Sequence, residues 1–477
     1  MTNNPVRFGT DGWRAIIAED FTFANVRACA QAVADHFRES EAHGAMSPRH
    51  LVVGYDTRFL SDEFAAAVAR VFAGNGFRVD FADRPAPTPA ISFHIVATGA
   101  AGGIVVTSSH NPAHWNGIKV KPDYGGSADP AIVADIERRV PAILSASAVK
   151  EAPSSSDAIA RFDPVPAYLA GLAKQVDLDR IRAAGVRVAL DSMYGAGAGL
   201  MARLLEGGRT TLTEIHGERN PAFPGLRAPE PIESNLGELL RLVAAGGFDC
   251  GLANDGDADR TGFVDENGQY VDQLRTFALL TYYLLGLRGL RGPIVKSVTT
   301  TAMAAKLAAH FGVECIETPV GFKHIGPLMT ERDALIGGEE SGGYGFRGHI
   351  PERDGLLTNL ILLDAMALTG RKPTALLAEV FAITGEHFYE RIDFDLEPGS
   401  TAQVKSSLDA AAPRELAGQP VTSTDHKDGW RFMIPEGWLL LRLSGTEPLL
   451  RIYTEVTDRS LVRPLLEAGI ALAGRTP

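Results

Sequence analysis

Along the first third of the chain, short apolar runs alternate with longer stretches whose apolar residues recur every three or four positions. Residues 51–55, 78–81 and 103–106 have the length and branching of buried strands, whereas 23–37 and 62–72 carry the spacing of one helix face. The alternation returns from Val186, with a strand running to Asp191, a helix over 236–245 and a strand over 248–253. A third round opens with a helix at Leu274 and continues as strand 294–298, helix 302–311, strand 313–318 and helix 356–368. Strands over 438–443 and 450–455 and a helix over 461–473 close the chain. This rhythm predicts α/β layers on parallel or mixed sheets. The Ser- and Ala-rich stretch 146–160 lacks large apolar residues and reads as a linker. No fixed-period sequence repeat underlies the rounds.

A chain of 477 residues is too long for one core, so several domains are expected. The boundaries are expected at 1–150, 163–270, 271–383 and 386–477. With 46 Lys and Arg against 58 Asp and Glu, the net charge is −12, which argues against nucleic acid as a partner. An acidic chain that handles anions must then concentrate its positive charge locally. The most apolar long stretch, 274–287, contains Arg275 and has the length of a core helix, so no membrane span is expected. Residues 1–7 lack the apolar run of a secretory signal, and the three cysteines show no metal spacing; a cytoplasmic protein with buried thiols is expected.

Four loops carry chemistry. Thr107-Ser108-Ser109-His110-Asn111-Pro112 follows a strand and turns sharply at Asn-Pro, exposing a hydroxyl that can act as nucleophile or merely cap a helix. Lys119 follows a turn that brings it back toward Ser109. In the second loop, Asp255, Asp257 and Asp259 alternate around Gly256 and Ala258 and precede Arg260. Such carboxylates repel unless a cation lies among them, and hard oxygen donors suit Mg²⁺. An EF-hand would need glycine where Arg260 stands, and an aspartyl-phosphate phosphatase fits poorly with Asp259 and the available Ser109. A solvated acidic turn is the plain alternative.

The third loop, Gly337-Gly338-Glu339-Glu340-Ser341-Gly342-Gly343, offers carboxylate and hydroxyl to a polyol, or is a Gly-rich hairpin. Nearby Arg347, His349 and Arg353-Asp354 add charge or cap the following helix. The fourth, Arg442-Leu443-Ser444-Gly445-Thr446-Glu447-Pro448 with Arg451 beyond it, can cradle a phosphate or form a surface hairpin. Gly195-Ala196-Gly197-Ala198-Gly199 lacks the third glycine of a dinucleotide fingerprint and reads as close strand–helix packing.

In this order, and with Phe8-Gly9-Thr10-Asp11-Gly12-Trp13-Arg14 near the N-terminus, the loops resemble the α-D-phosphohexomutase family over nearly the whole chain. The resemblance implies three related α/β domains with mixed sheets and a smaller C-terminal α+β domain around a central cleft. It implies a mutase of hexose phosphates, glucose before mannose or glucosamine, working through a phosphoserine and a hexose 1,6-bisphosphate. Ser109 matches the phosphorylated serine, with His110 beside it, and Asp255, Asp257 and Asp259 match the Mg²⁺ ligands, completed by the serine phosphate. Arg260 and Arg14 match arginines near that serine, and Lys119 a lysine that moves protons. Glu339 and Ser341 match sugar contacts, and Lys323 and His324 fall in a loop that helps orient the sugar. Arg442, Ser444, Gly445 and Thr446 match the loop for the non-reacting phosphate, with Arg451 close by. A monomer or homodimer with a small phosphosugar as its partner is expected. Several relatives end the sugar loop in His where this chain has Gly343, which raises the question of whether His349 takes that place.

Overall fold

The computed structural model describes residues 4–42, 49–397, 399–444 and 449–474. The first sheet contains β1 (Trp13–Ile16), β2 (His50–Tyr55), β3 (Arg78–Ala82), β4 (Gly102–Val106), β5 (Trp115–Pro122) and β6 (Ile159–Phe162), in the order β1-β5-β4-β2-β3-β6. Strand β2 runs parallel to β3 and β4, and β3 to β6, whereas β5 is antiparallel to β4 and β1. Strands β2 and β4 are buried at every position, which is why they read as unbroken apolar runs. Helix Ser61–Gly74 opens on Asp62 and Glu63, at the end where the backbone dipole is positive. Helix Pro130–Ala146 is capped by Asp129, which accepts from Ala131 N at 2.7 Å.

The segment expected as a linker is docked instead. Ala152 N donates to Arg70 O at 2.9 Å, and a Cβ on Gly74 would lie 2.5 Å from Lys150 O. Strand β6 then extends the first sheet to Phe162, past residue 150. Composition missed this because small residues that pack closely and small residues in solvent look alike in sequence.

The second sheet follows the same plan. Strands β7 (Arg187–Asp191), β8 (Thr211–Ile215), β9 (Cys250–Asn254), β10 (Thr261–Val264) and β11 (Tyr270–Val271) lie in the order β11-β10-β9-β7-β8. Its parallel strands β8, β7 and β9 are again flanked by antiparallel ones on one side. Further along, β12 (Ile294–Ser297) and β13 (Cys315–Thr318) pair in parallel, and β14 (Ile336–Gly338) and β15 (Tyr344–Phe346) pair antiparallel. After β16 (Phe388–Asp395) comes the short pair β17 (Glu415–Leu416) and β18 (Gln419–Pro420). Then β19 (Ser423–Asp425), β20 (Trp430–Ile434), β21 (Gly437–Leu443) and β22 (Leu449–Val456) complete an antiparallel sheet ordered β16-β22-β21-β20-β19. Its core joins Phe432, Leu441 and Ile452 to Leu465 of helix Val462–Leu472.

Two compact units result. One contains 1–273 and 321–376, hence the first and second sheets with β14 and β15; the other contains 274–320 and 377–477. Among the described residues, no helix is long and apolar enough to cross a membrane. In the first unit the parallel strands β2, β4, β7 and β9 run at their C-terminal ends into Asp56, Thr107, Ser192 and Asp255. That edge of an open α/β sheet is where ligands bind.

Candidate functional site

The first and second sheets bring the serine loop and the acidic loop together. Ser109 lies in the left-handed region at φ 50°, which costs a non-glycine residue on the order of 1–3 kcal/mol unless its surroundings hold it there. They do. The buried Arg58 guanidinium donates to Ser109 O at 2.6 Å, Asn111 O at 2.5 Å, Pro112 O at 2.9 Å and Trp115 O at 3.1 Å. Its Nε lies 3.2 Å from Asp56, which also accepts from Ser61 and Thr107, both at 2.7 Å. Thr107 Oγ1 in turn accepts from Ser109 N at 2.8 Å. Asp56 and Arg58 therefore shape the loop, and sequence reading passed over them. Their signal was available: Asp56-Thr57-Arg58 ends an apolar strand, as the serine loop does.

Held this way, Ser109 Oγ donates to Asp255 Oδ2 at 2.8 Å and lies 3.3 Å from His110 Nδ1. The approach requires Gly256, where a Cβ would lie 2.5 Å from Ser109 O. Gly195 likewise packs against the acidic loop, its Cβ position 2.7 Å from Asp255 O. The Gly-rich turn thus packs on this loop and also on helix Gly355–Thr369, where the Gly197 Cβ position lies 3.2 Å from Leu356 Cδ1.

Asp255, Asp257 and Asp259 are each fully buried and offer ligand atoms within 4.8 Å of one another. Two charges about 4 Å apart repel by about 4 kcal/mol at an effective dielectric of about 20, so the trio needs positive charge. Lys119 Nζ supplies part of it, at 2.8 Å from Asp257 Oδ2, 2.7 Å from Asp259 Oδ2 and 2.9 Å from Asp11 Oδ2. Thr88 Oγ1 also donates to Asp257 Oδ2, at 2.5 Å. The opposite oxygens, Asp257 Oδ1 and Asp259 Oδ1, are buried without a hydrogen-bond partner. Burial, then Asp257 and Asp259, push the Asp255 carboxyl well above its ordinary range. Two orphaned carboxylate oxygens beside a carboxylate that resists ionisation are a donor set that can hold a metal ion.

Charge around the trio is arranged in pairs. Burial would lower the Lys119 ammonium pKa, but Asp11, Asp257 and Asp259 outweigh it and keep the group cationic. Burial and the nearby Arg260 and Arg14 hold the His110 imidazole well below its usual range, in the neutral form. Arg14 donates to Asn111 Oδ1 at 2.7 Å. Arg260 N donates to Asp255 Oδ1 at 3.1 Å, and its Nη1 lies 3.3 Å from Glu230, a residue the sequence did not single out.

The loop between β14 and β15 belongs to the same unit. Glu339 N donates to Gly343 O at 3.1 Å. Burial raises the Glu339 carboxyl to about 7, with Arg353 opposing the rise. Ser341 Oγ is buried without a partner, as an atom awaiting a polar ligand would be. Both readings of Arg353-Asp354 apply. Asp354 caps helix Gly355–Thr369 by accepting from Leu357 N at 2.9 Å, while Arg353 reaches Asp11 and lies 3.0 Å from Asp259. His349 lies 2.9 Å from Asp354 Oδ2 and stacks on Phe93. The room beside Gly343 belongs to Arg353, whose Cδ is 2.3 Å from where a Cβ would be. Lys323 and His324 open helix Phe322–Glu331, and Lys323 lines a cavity with Thr10, Asp11 and Ser127.

The fourth loop lies in the other unit. Arg442 and Arg451 are cross-strand partners on β21 and β22, a like-charge pair that is unfavourable unless an anion or carboxylate offsets it. Asp428 supplies one carboxylate, accepting from Arg442 Nε at 3.0 Å and from Val320 N at 2.8 Å. Arg451 Nε is buried without a hydrogen-bond partner. Ser444 N donates to Leu449 O at 2.8 Å; Gly445 and Thr446 lie outside the described residues.

Comparison with known proteins agrees with this arrangement over its whole length. Sequence models of phosphoglucomutase/phosphomannomutase match in chain order: α/β/α domain I at 5–146, domain II at 166–268, domain III at 272–383 and the C-terminal domain at 400–469. A phosphoglucomutase/phosphomannomutase from Thermococcus kodakarensis is 31% identical over 471 residues, covering 98% of each chain. A phosphoglucosamine mutase from Leifsonia xyli subsp. xyli is 31% identical over 470 residues, covering 95% of each. The crystal structure of a protein from Thermus thermophilus, provisionally named phosphomannomutase, superposes with a TM-score of 0.86 at 36% identity. The match covers 98% of this chain and 99% of that one. With its mixed-sheet α/β layers, antiparallel C-terminal sheet and buried acidic trio beside a serine, the chain belongs to the phosphoglucomutase/phosphomannomutase family of isomerases, which move a phosphoryl group within a sugar phosphate.

Proposed function

We propose that the chain interconverts hexose 1-phosphate and hexose 6-phosphate, with glucose preferred, through phospho-Ser109 and a hexose 1,6-bisphosphate. The observation that carries this reading is the 2.8 Å contact of Ser109 Oγ with Asp255, beside the orphaned oxygens of Asp257 and Asp259. A serine alone is a poor donor, but a phosphoserine carries about −1.5 to −2 charges and needs an oriented electrophilic setting. Asp255, Asp257, Asp259 and the serine phosphate would hold Mg²⁺, which neutralises charge on the transferring phosphoryl group.

The protein's own groups do the rest. Arg58 and Asp56 fix the serine loop, so that the leaving Oγ is presented in one orientation. In the forward direction the sugar 6-hydroxyl attacks phosphorus, the P–Oγ bond breaks, and the hydroxyl proton passes to Ser109 Oγ. His110, neutral and 3.3 Å from that oxygen, is placed to relay the proton. Lys119, surrounded by three carboxylates, acts as a fixed cation rather than a base. Glu339 and Ser341 take sugar hydroxyls, Lys323 and His324 help orient the sugar, and Arg442, Ser444, Gly445, Thr446 and Arg451 take the phosphate that is not reacting. Arg14 and Arg260 balance charge at the phosphoserine. The four-part division at 1–150, 163–270, 271–383 and 386–477 gives each loop its own domain.

The test is Ser109→Ala assayed with glucose 1-phosphate. Turnover should vanish, together with the phosphoprotein mass; activity near wild type would end the covalent scheme. Mannose and glucosamine are the other candidate sugars, since relatives at similar identity act on them by name. The Glu-Glu-Ser-Gly-Gly form of the sugar loop supports glucose or mannose. A side-by-side assay of the three 1-phosphates decides among them. Release of inorganic phosphate without isomerisation would instead mark a phosphatase.

A further inference from the structure

The guanidinium of Arg353 touches three loops at once. Its Nη2 donates to Asp11 of the N-terminal loop and lies 3.0 Å from Asp259 Oδ2 of the acidic loop. Its Nη1 is 3.6 Å from Glu339 Oε2 of the sugar loop, and its Nε donates to Glu352 at 3.2 Å. The side chain is 4% exposed and lies over the Phe322 ring at 5.8 Å. A planar fork with five donors can reach several carboxylates together, which an ammonium cannot do.

Its position depends on an empty place in the sugar loop. A Cβ at position 343 would lie 2.3 Å from Arg353 Cδ and 2.8 Å from Cγ, far inside contact distance. The stem of Arg353 thus fills the volume that any side chain at 343 would claim. No left-handed backbone angle requires glycine there, in contrast to Gly342 at φ 85°. Steric room for Arg353 accounts for Gly343.

We infer that Arg353 is a positioning residue of the substrate site, which ties the sugar-facing Glu339 to the acidic loop, and that Gly343 makes room for it. The inference deepens the proposed function and rests on that reading. Arg353 offsets the charge of Glu339 and fixes its carboxylate for sugar hydroxyls while its other arm holds Asp259 Oδ2. Free of Arg353, Glu339 would lose both orientation and counter-charge, and the effect would appear first in sugar binding.

The test is a double-mutant cycle read by binding as well as turnover. Glucose 6-phosphate affinity is measured by calorimetry in a Ser109→Ala background, and KM and kcat in chains with Ser109 intact. Arg353→Met should weaken binding and raise KM by about 10- to 100-fold, by analogy with the loss when groups that orient metal ligands are removed. Arg353→Lys should recover little, since it lacks the fork. Gly343→Ala should reproduce the Arg353→Met loss, and in an Arg353→Ala background, which keeps no stem atom beyond the Cβ at 3.4 Å, it should cost less than about twofold, because the two changes remove one interaction. Multiplying effects, or unchanged glucose 6-phosphate affinity in Arg353→Met, would overturn the inference while leaving the mutase reading intact. So would variants that no longer melt cooperatively, since that assigns Arg353 to the fold. A wild-type chain that neither binds nor converts any hexose phosphate would sink both.

Discussion

The serine–carboxylate cluster and the arginine pair on β21 and β22 meet charge in opposite ways. In the first, Asp255, Asp257, Asp259 and Lys119 are essentially without solvent, and Lys119 alone touches three carboxylates. Even the backbone of Ser109 is clamped by a buried arginine. In the second, Arg442 and Arg451 lie side by side on a sheet, half-buried, and Asp428 orients Arg442 through one bond to its Nε. The difference suits the two tasks proposed for these regions. A group that transfers phosphorus needs one fixed geometry, and burial strengthens every charge around it. A group that holds the idle phosphate has to accept either end of a hexose, which a tightly packed cage would forbid. Damage to the first region should therefore appear in kcat, and damage to the second in KM.

Asp257→Asn is the severest way to test that division. It removes a charge that Lys119 and Thr88 now engage, together with an orphaned oxygen suited to a cation. Turnover should fall by about 100- to 1,000-fold, the scale of losing one preorganised charge-stabilising group. The saturable activation by Mg²⁺ should flatten or move to far higher concentration. An unaltered Mg²⁺ titration would take Asp257 out of the cation site and erase the contrast.

Arg442→Ala comes next. Charge-assisted hydrogen bonds are worth roughly 1.5–3 kcal/mol each, so KM should rise about 10- to 100-fold with kcat nearly kept. A drop confined to kcat would show that the arginine acts on the reacting phosphate, and the two regions would no longer differ in kind.

The same division explains what could be read from sequence. Ser109, Asp255, Asp257 and Asp259 were legible because each loop follows a buried strand, and alternating carboxylates have few inexpensive explanations. Arg442 and Arg451 were legible as charge near a Gly-containing turn. Arg58 was not, because its role is to satisfy four carbonyls scattered over residues 109–115, and hydrogen bonds to backbone leave no pattern in side chains. Arg353 was visible only as one of several charges near a helix start; its reach to Asp11 spans most of the chain. The mixed sheets followed from the apolar rhythm. The strand β6 did not, since Ile159–Phe162 is short and only partly buried at an edge.

The smallest expected effect belongs to Asp428→Asn. The asparagine keeps the shape and one acceptor, for Val320 N, and turns its amide nitrogen toward Arg442, so it loses both the charge and the acceptor for Arg442 Nε. That pair is 13% and 21% exposed, so solvent screens part of it, and partly exposed ion pairs contribute about 0–1 kcal/mol. A rise in KM of about fivefold or less follows. The effect should shrink as salt is added, because screening shortens to about 3 Å at 1 M ionic strength. In an Arg442→Ala background the substitution should do nothing further, since the group it orients is gone. A loss as large as that of Arg442→Ala itself, or one that survives in the double variant, would mean that Asp428 holds more than this arginine. The second region would then be as tightly determined as the first.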